Sequence, residues 1–528
     1  MKTLKLGPFL GVNNRLPDDK LQKEQGAFVR AADNVFLTNA GTVKVREADE
    51  LIQSMTNPHS WRADSATTGY LVRNGVMYRV TGIDPYGETL FMILSNDNPV
   101  CWCAVDGDLY WSNGTDIGRI SNGINHPVAL PTPAAPAVGL ISGTLYVGKY
   151  RVGVSYQNQT TGEEGSVSVL TTATLTTEGG IRVTLPSATP GATHVCVYVT
   201  GTNGSVPMLH AMVATGTSTV DITAAAIDGR EAGARFESAL PAGRQLAVHN
   251  GRLISVSNGV AYYSQPYRYG YVLTRDNYVT VPGGVTMVIP AQGGVYVVGG
   301  EKTYWFPGDI AAPQEMIRDV LPYGGVPGTT FESPDGAVVG WFGVNGFVIG
   351  DTAGQVSAPM SEVIDQTPPA SGCAAVLISH GTQRVVSCGW CMGLENKAIT
   401  AFSGFDYTAM HGGIGTKATG IYKLESGTSS VTWSIDLGRK NFDSEEEKRL
   451  PACYVGVASS APVSLAVNVP SGDSYSYEAR SCSDGLDIHR IDPGRGLKAN
   501  WFGLSLFGEG AAEISSFSIA PTISQRRI

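Results

Sequence analysis

A hairpin phrase recurs along this chain: a turn glycine opens an apolar strand, and a second turn and strand follow about eight residues later. Four copies read NGRLISVSNGVAYYS (250–264), GGVYVVGGEKTYWF (293–306), DGAVVGWFGVNGFVIG (335–350) and HGTQRVVSCGWCMG (380–393). Their lead glycines, Gly251, Gly294, Gly336 and Gly381, stand 43, 42 and 45 residues apart. Four-stranded propeller blades repeat at roughly this period. The chain is therefore expected to be all-β, an interrupted β-propeller of about six blades. The composition agrees: 65 glycines and 29 prolines supply turns throughout, and only 16% of residues are charged, against about 25% in typical soluble domains.

The phrase also occurs upstream, as NGVMYRV at Gly75 and DGDLYWSNGTDIGRI at Gly107. From Gly107 to Gly251 is 144 residues, 101 more than one 43-residue period. An inserted domain of that size restores the phase. The interval opens on the proline-rich HPVALPTPAAP (126–136) and closes near Gly243. Within it Tyr150, Val152, Val154 and Tyr156 alternate with smaller or polar residues, and Val195, Val197 and Val199 share a face. Alternation of this kind marks half-buried strands, and about 100 residues of them fit an immunoglobulin- or fibronectin III-like sandwich. Its excision is expected to leave the propeller folded.

After the last clear phrase comes DSEEEKR (443–449), a dense charge cluster read as a solvated connector. Beyond it CYVGVAS, VSLAVNV and LKANWFGLSLFGEG alternate again, predicting a small terminal β-sandwich. The expected division is 1–130 for the first part of the propeller, 131–241 for the insert, 242–442 for the rest of the propeller and 443–528 for the terminal module. Helix is expected only near 20–32 and 312–320.

The net charge is −9, and no basic block is present, so a sequence-reading nucleic-acid binder is excluded. The opening residues do not read as a secretory signal, and no run of 18 apolar residues predicts a membrane span. The eight cysteines are scattered and read as reduced, mostly buried small hydrophobes. Cys388-Gly-Trp-Cys391 has redox spacing, but it follows the strand TQRVVS rather than opening a helix. As a zinc half-site it lacks a second pair of matching spacing, Cys101 and Cys103 having one residue between them. GGIGTKATG (412–420) reads as a turn, since no βαβ unit surrounds it. SPDGAVVGW (333–341) approaches a sialidase-type box, with its glycine one residue early and no second copy. Trp102, Trp111, Trp305, Trp341 and Trp390 sit in or beside blade strands, where core packing is expected before a sugar platform. No catalytic, cofactor-binding or metal-ligating residue is assigned, and an enzyme is not expected.

Three segments carry a resemblance. GPFLGVNNRLPDDKLQKEQGAFVRAADNVFLTNAGTVKVREADELI (7–52) contains Gly41-Thr-Val43-Lys-Val45-Arg46, one residue away from a Gly-x-[VL]-x-[KR]-R element. The centre joins VYVVGGEKTYWFPGD, LPYGGVPGTTF and VVGWFGVNGFVIGD, and the end reads GRGLKANWFGLSLFGEGAAEISSFSIAP (494–521). In these segments the chain resembles the tail nozzle or hub proteins of tailed bacteriophages. The resemblance implies a non-enzymatic virion protein without cofactors, assembled in the host bacterial cytoplasm as a homo-oligomer, a hexameric ring in that family's manner. It further implies a ring that closes the DNA-ejection channel, passes double-stranded DNA without reading it, and contacts portal or adaptor and tail-fibre or tail-tip proteins. A tail-tip component of a long-tailed phage and a glycan-binding or carbohydrate-active propeller are the alternatives.

Overall fold

The computed structural model describes residues 4–224, 229–233, 236–494 and 496–523. Arg495 and residues 524–528 of the expected terminal module lie outside that set. The described residues form strands and short 3-10 turns, and the protein has the all-β propeller fold that its period predicts. No helix among them is long and apolar enough to cross a membrane. The chain divides into two compact units: Met1–Pro99 with Ala291–Pro307 and Arg318–Ile528, and Val100–Pro290 with Gly308–Ile317.

In the first unit the blades are four-stranded antiparallel meanders. One runs His59–Ala63, Gly69–Arg73, Val76–Ile83, Tyr86–Ile93, and another Phe331–Glu332, Val339–Gly343, Gly346–Gly350, Val356–Ser357. A third is Ala374–Ser379, Thr382–Ser387, Trp390–Gly393, Ile399–Ala401. The last, Ala409–His411, Ile414–Lys417 and Gly420–Gly427, is completed by a strand from near the other end of the chain, Ala48–Ser54. The recurring phrase has a backbone cause at several of its turns. Asn250 and Gly251 sit at φ 46° and 70°, as a two-residue type I′ hairpin turn requires.

Two sheets built largely from the chain ends share a core that runs on into the adjoining blades, through Phe342, Phe347, Val385 and Met392. One is ordered Asp487–Ile491, Cys453–Ser459, Ala512–Ile519, Val43–Val45, Val35–Leu37, with Leu4–Leu6 also on Ala512–Ile519. The other continues the Ala374–Ala401 blade through Ala31–Asp33 into Thr432–Lys440, Phe502–Glu509, Val463–Asn468 and Ser474–Glu478. Val455, Val457, Ile514 and Phe517 from the first pack with Ile435, Leu465, Leu504 and Leu506 from the second in one buried cluster. The opening residues, expected to begin the propeller, thus belong largely to the terminal sandwich. Their strands are three or four residues long, and their partners stand at the other end of the sequence, where local pattern cannot show them.

The two expected helices are replaced. Residues 20–32 give Gln22–Lys23, Gly26–Val29 and Ala31–Asp33, with Gly26–Val29 lying parallel to Phe9–Val12. Ala27 and Val29 are buried and Phe28 between them less so, a strand period that pairing on both edges selects over a helix. In the second segment Pro313 precedes a single 3-10 turn, Gln314–Met316, and Arg318–Leu321 joins Thr303–Pro307 as a strand.

In the second unit the meanders are Cys101–Val105 to Ile124–Pro127, and Gln245–His249, Arg252–Ser257, Val260–Tyr263, Tyr278–Val279. Between them in sequence lie a three-stranded sheet (Ala137–Leu145, Gly179–Thr184, Thr219–Ile222) and a four-stranded one (Thr171–Leu175, Gly148–Gln157, His194–Thr200, Pro207–Ala214). Val152, Val154, Val195 and Val197 meet Ile181, Val183 and Ile222 between these sheets.

Ion pairs and hydrogen bonds hold the insert together and tie it to its flanking meanders. The Glu164 carboxylate accepts from Ser155 Oγ and Tyr198 Oη, both at 2.6 Å, and pairs with Arg230 at 2.6 Å. Glu163 accepts from Tyr271 Oη at 2.9 Å and pairs with Arg119 at 3.3 Å. Arg268 donates to Glu237 at 2.6 Å and to the Glu164 carbonyl at 3.0 Å.

Candidate functional site

The CGWC segment lies on an open cleft of about 890 Å³. Cys388 and Gly389, at φ 55° and 75°, form the two-residue turn between Thr382–Ser387 and Trp390–Gly393. Cys391 sits opposite Val386 and is 1% exposed, whereas Cys388 reaches the cleft together with Cys373. Pleating separates the two CxxC sulfurs: one is at a turn, the other on the core side of a strand. Burial pushes the Cys391 and Cys373 thiols up to about 12, and burial also raises Cys388. These are neutral thiols at physiological pH, the opposite of the lowered state that thiol-disulfide catalysis uses.

The cleft is walled by Trp390, Phe405 and Tyr407, with Asp33 and Asp406 at its polar side. Asp33 is occupied: its carboxylate accepts from the Ser403 amide at 2.8 Å and from the Ser403 hydroxyl. Asp406 is exposed and lies 3.6 Å from Lys417. Phe405 and Tyr407 are buried, with Arg46 and Lys417 over their rings, so among the three it is the half-buried Trp390 that presents an aromatic surface to the cleft.

The other candidates are dispersed. Cys101 and Cys103 lie on the strand Cys101–Val105, opposite Ser112 and Tyr110. All eight cysteines are free, and no cluster of three or more His, Cys, Asp or Glu among the described residues could hold a metal ion. The run 412–420 makes two hairpin turns. In SPDGAVVGW, Asp335 accepts from Ser333 Oγ at 2.6 Å and from the Ala337 amide at 3.2 Å, so its carboxylate builds the turn. Trp111, Trp305 and Trp341 are buried; Tyr296 packs 4.5 Å from Trp305 and 5.4 Å from Trp341, ring centre to ring centre.

The sequence reading missed a buried ionic cluster where the N-terminal segment enters the last blade. Arg384 is 1% exposed; it donates to Ser379 Oγ at 2.9 Å and to the Glu425 carboxylate, and its guanidinium lies 3.9 Å over Phe36. Asp49 pairs with Arg46 at 3.5 Å and Lys417 at 3.7 Å, and accepts from the Glu425 amide at 3.2 Å. Arg46, the last residue of the resemblance element, also donates to Asn34 at 3.0 Å and lies over Phe402 and Phe405. Charged residues scattered among strands give no local sign of this convergence.

Between the Ala409–His411 and His59–Ala63 strands, His411 Nδ1 accepts from the Ala63 amide at 3.3 Å, and its carbonyl accepts from Trp61 Nε1 at 2.9 Å. Burial, helped by the Arg62 charge, pushes this imidazole down to about 4. The unfolded side chain titrates near 6.5. Stability is therefore complete above about pH 6.5 and declines as the pH falls toward 4, because the unfolded state takes up the proton first. Allowing for the ring's partial exposure, the loss should reach about 1–2 kcal/mol. A thermal-melt series from pH 7.5 to 4.5 checks it: His411→Asn should flatten the decline, and an equally steep series in that variant contradicts the assignment.

No protein-family model matches the chain, and neither does any curated protein. Among solved structures it is similar to apo AztD from Citrobacter koseri, with 12% identity over 71% of this chain and 94% of that one and a TM-score of 0.31. A BBS1N–ARL6DN complex structure is matched at 8% identity over 67% and 96%, TM-score 0.25. An exo-β-1,3-galactanase from Phanerochaete chrysosporium gives 11% over 80% and 95%, TM-score 0.18. At these TM-scores the likenesses carry nothing about ligand, partner or reaction.

Proposed function

We propose that this chain is a structural protein of a bacteriophage tail: a nozzle or hub subunit, non-enzymatic, that assembles as a ring around the distal part of the DNA-ejection channel. The observation that supports this most is where the resemblance segments go. The Gly41–Arg46 element and the 494–521 segment, at opposite ends of the sequence, meet in one sheet, with Val43 opposite Ile514 and Lys44 opposite Glu513. The same terminal module continues the sheet of the Ala374–Ala401 blade through Ala31–Asp33, so load on either passes through backbone hydrogen bonds. An acidic chain of net charge −9 also gives phosphates little to bind, and DNA passing it keeps its counterions. In this reading the protein resides in the virion, after assembly in the host cytoplasm, with portal or adaptor and fibre or tip proteins as neighbours.

Light scattering with negative-stain class averages tests the reading. Rings with a central hole wide enough for a duplex, alone or with neighbouring tail proteins, are expected. A monomer under every such condition overturns it.

A glycan-binding propeller is the second reading, favoured by the half-buried Trp390 on the 890 Å³ cleft. It predicts sugar-dependent stabilisation that Trp390→Ala removes.

A further inference from the structure

A second cleft, of about 560 Å³, lies between the 10–28 segment and residues 359–399. Its accessible apolar surface comes from the half-buried Leu10, Phe28, Pro359 and Val363, over the buried Val12 and Ile399. Lys397 lines it, from the turn that joins Trp390–Gly393 to Ile399–Ala401.

Two features of Lys397 are unusual for a turn lysine. It sits at φ 56°, the left-handed position that glycine or asparagine fills at low cost and a long side chain does not. The turn closes through the Gly393 and Ala398 backbones, and Asn396 Oδ1 accepts from the Ala398 amide at 3.0 Å. Nothing in that bonding requires a lysine side chain. The ammonium, half-buried, donates to the Leu394 carbonyl, and among the described residues no carboxylate lies within ion-pair distance of it. Burial alone pushes it below the usual lysine range. Lys23 and Glu24 at the rim are exposed and offset one another. Asn396 is already committed to the turn and to the Leu37 and Thr38 carbonyls.

A desolvated cation without a counter-charge, above an apolar floor, is complementary to an anion with an apolar body. We propose that this cleft binds an amphiphilic carboxylate, its carboxylate on Lys397 Nζ and its hydrocarbon part on Leu10, Phe28 and Val363. A free fatty acid and a peptide ending in an apolar residue share that chemistry.

Calorimetric titration of the full chain with two acid–neutral pairs tests the site: octanoate against octanol, and N-acetyl-leucine against N-acetyl-leucinamide. The acid of at least one pair should bind ten-fold or more tighter than its neutral analogue, and the pair that shows the preference names the source. Lys397→Gln should abolish the preference with an unchanged melting temperature. Lys397→Gly should abolish it while raising the melting temperature, because glycine relieves the left-handed position. No acid preference in the wild type, or a preference that survives in both variants, overturns the proposal. Ring assembly is read separately, so the tail reading stands or falls independently of this result.

Discussion

Arg384→Met will lower stability by about 3–5 kcal/mol, among the largest single-residue losses this chain can show. The guanidinium is 1% exposed and its partner Glu425 6% exposed. Removing the cation leaves a carboxylate in the interior with Arg46 as its neighbouring cation, which already serves Asp49. The pair itself is not expected to be worth that much. Arg384 Nε and Glu425 Oε1 are both buried without a hydrogen-bond partner, so desolvation of the two ions is only partly offset. The double variant Arg384→Met/Glu425→Leu should therefore recover most of what either single change loses, a coupling that a double-mutant cycle on the urea midpoint measures directly. Single variants with wild-type midpoints would show that the pair is solvated. The cluster also has a specific place: Arg46 stands just before, and Asp49 within, the Ala48–Ser54 strand that pairs with Gly420–Gly427. Its loss should first expose the amides of that strand pair to hydrogen exchange, ahead of global unfolding.

Excising residues 131–241 behind a short linker will unfold the second unit rather than leave it intact. Sequence pattern alone suggests a removable module, but the ionic contacts argue the reverse. Excision strips Glu163 from Arg119 and Tyr271, and Glu237 from Arg268. It also removes Leu240, 1% exposed, from the cluster formed by Val128, Leu253, Tyr271 and Val272, and the Ser238–Ala239 strand from Tyr271–Val272. Glu164→Ala tests the insert's own interior instead, since its side-chain partners all belong to the insert. It leaves Ser155, Tyr198 and Arg230 without their acceptor and should cost about 2–4 kcal/mol. Limited proteolysis reads both: cleavage within Gln245–Tyr263 should become rapid in the excised form, and a protease-resistant core covering those strands would refute the docking role.

Much of the fold was legible in the sequence because hairpins are local. Asn-Gly and Asp-Gly turns, and strands of alternating residue type such as Tyr150–Tyr156, state their conformation within a few residues, although Gly153 and Ser155 are buried along with the valines between them; the blade period and the two valine faces of the insert could therefore be read directly. The terminal module was half legible: Val463–Asn468 and Ala512–Ile519 alternate openly, while Leu4–Leu6 and Val43–Val45 are too short to carry a period. The CxxC spacing was visible too, yet spacing does not say on which side of a strand a sulfur stands.

What the sequence by itself determined is the set of strands and turns, since φ preferences and the two-residue pleat act between neighbours. What only the tertiary structure decided is which distant strands share a sheet and which charges share a pocket. Arg46, Asp49, Arg384, Lys417 and Glu425 span nearly 400 positions, and Val43 meets Ile514. Those placements follow from burying the apolar faces of many separate hairpins at once, a condition on the whole chain that no stretch of it expresses.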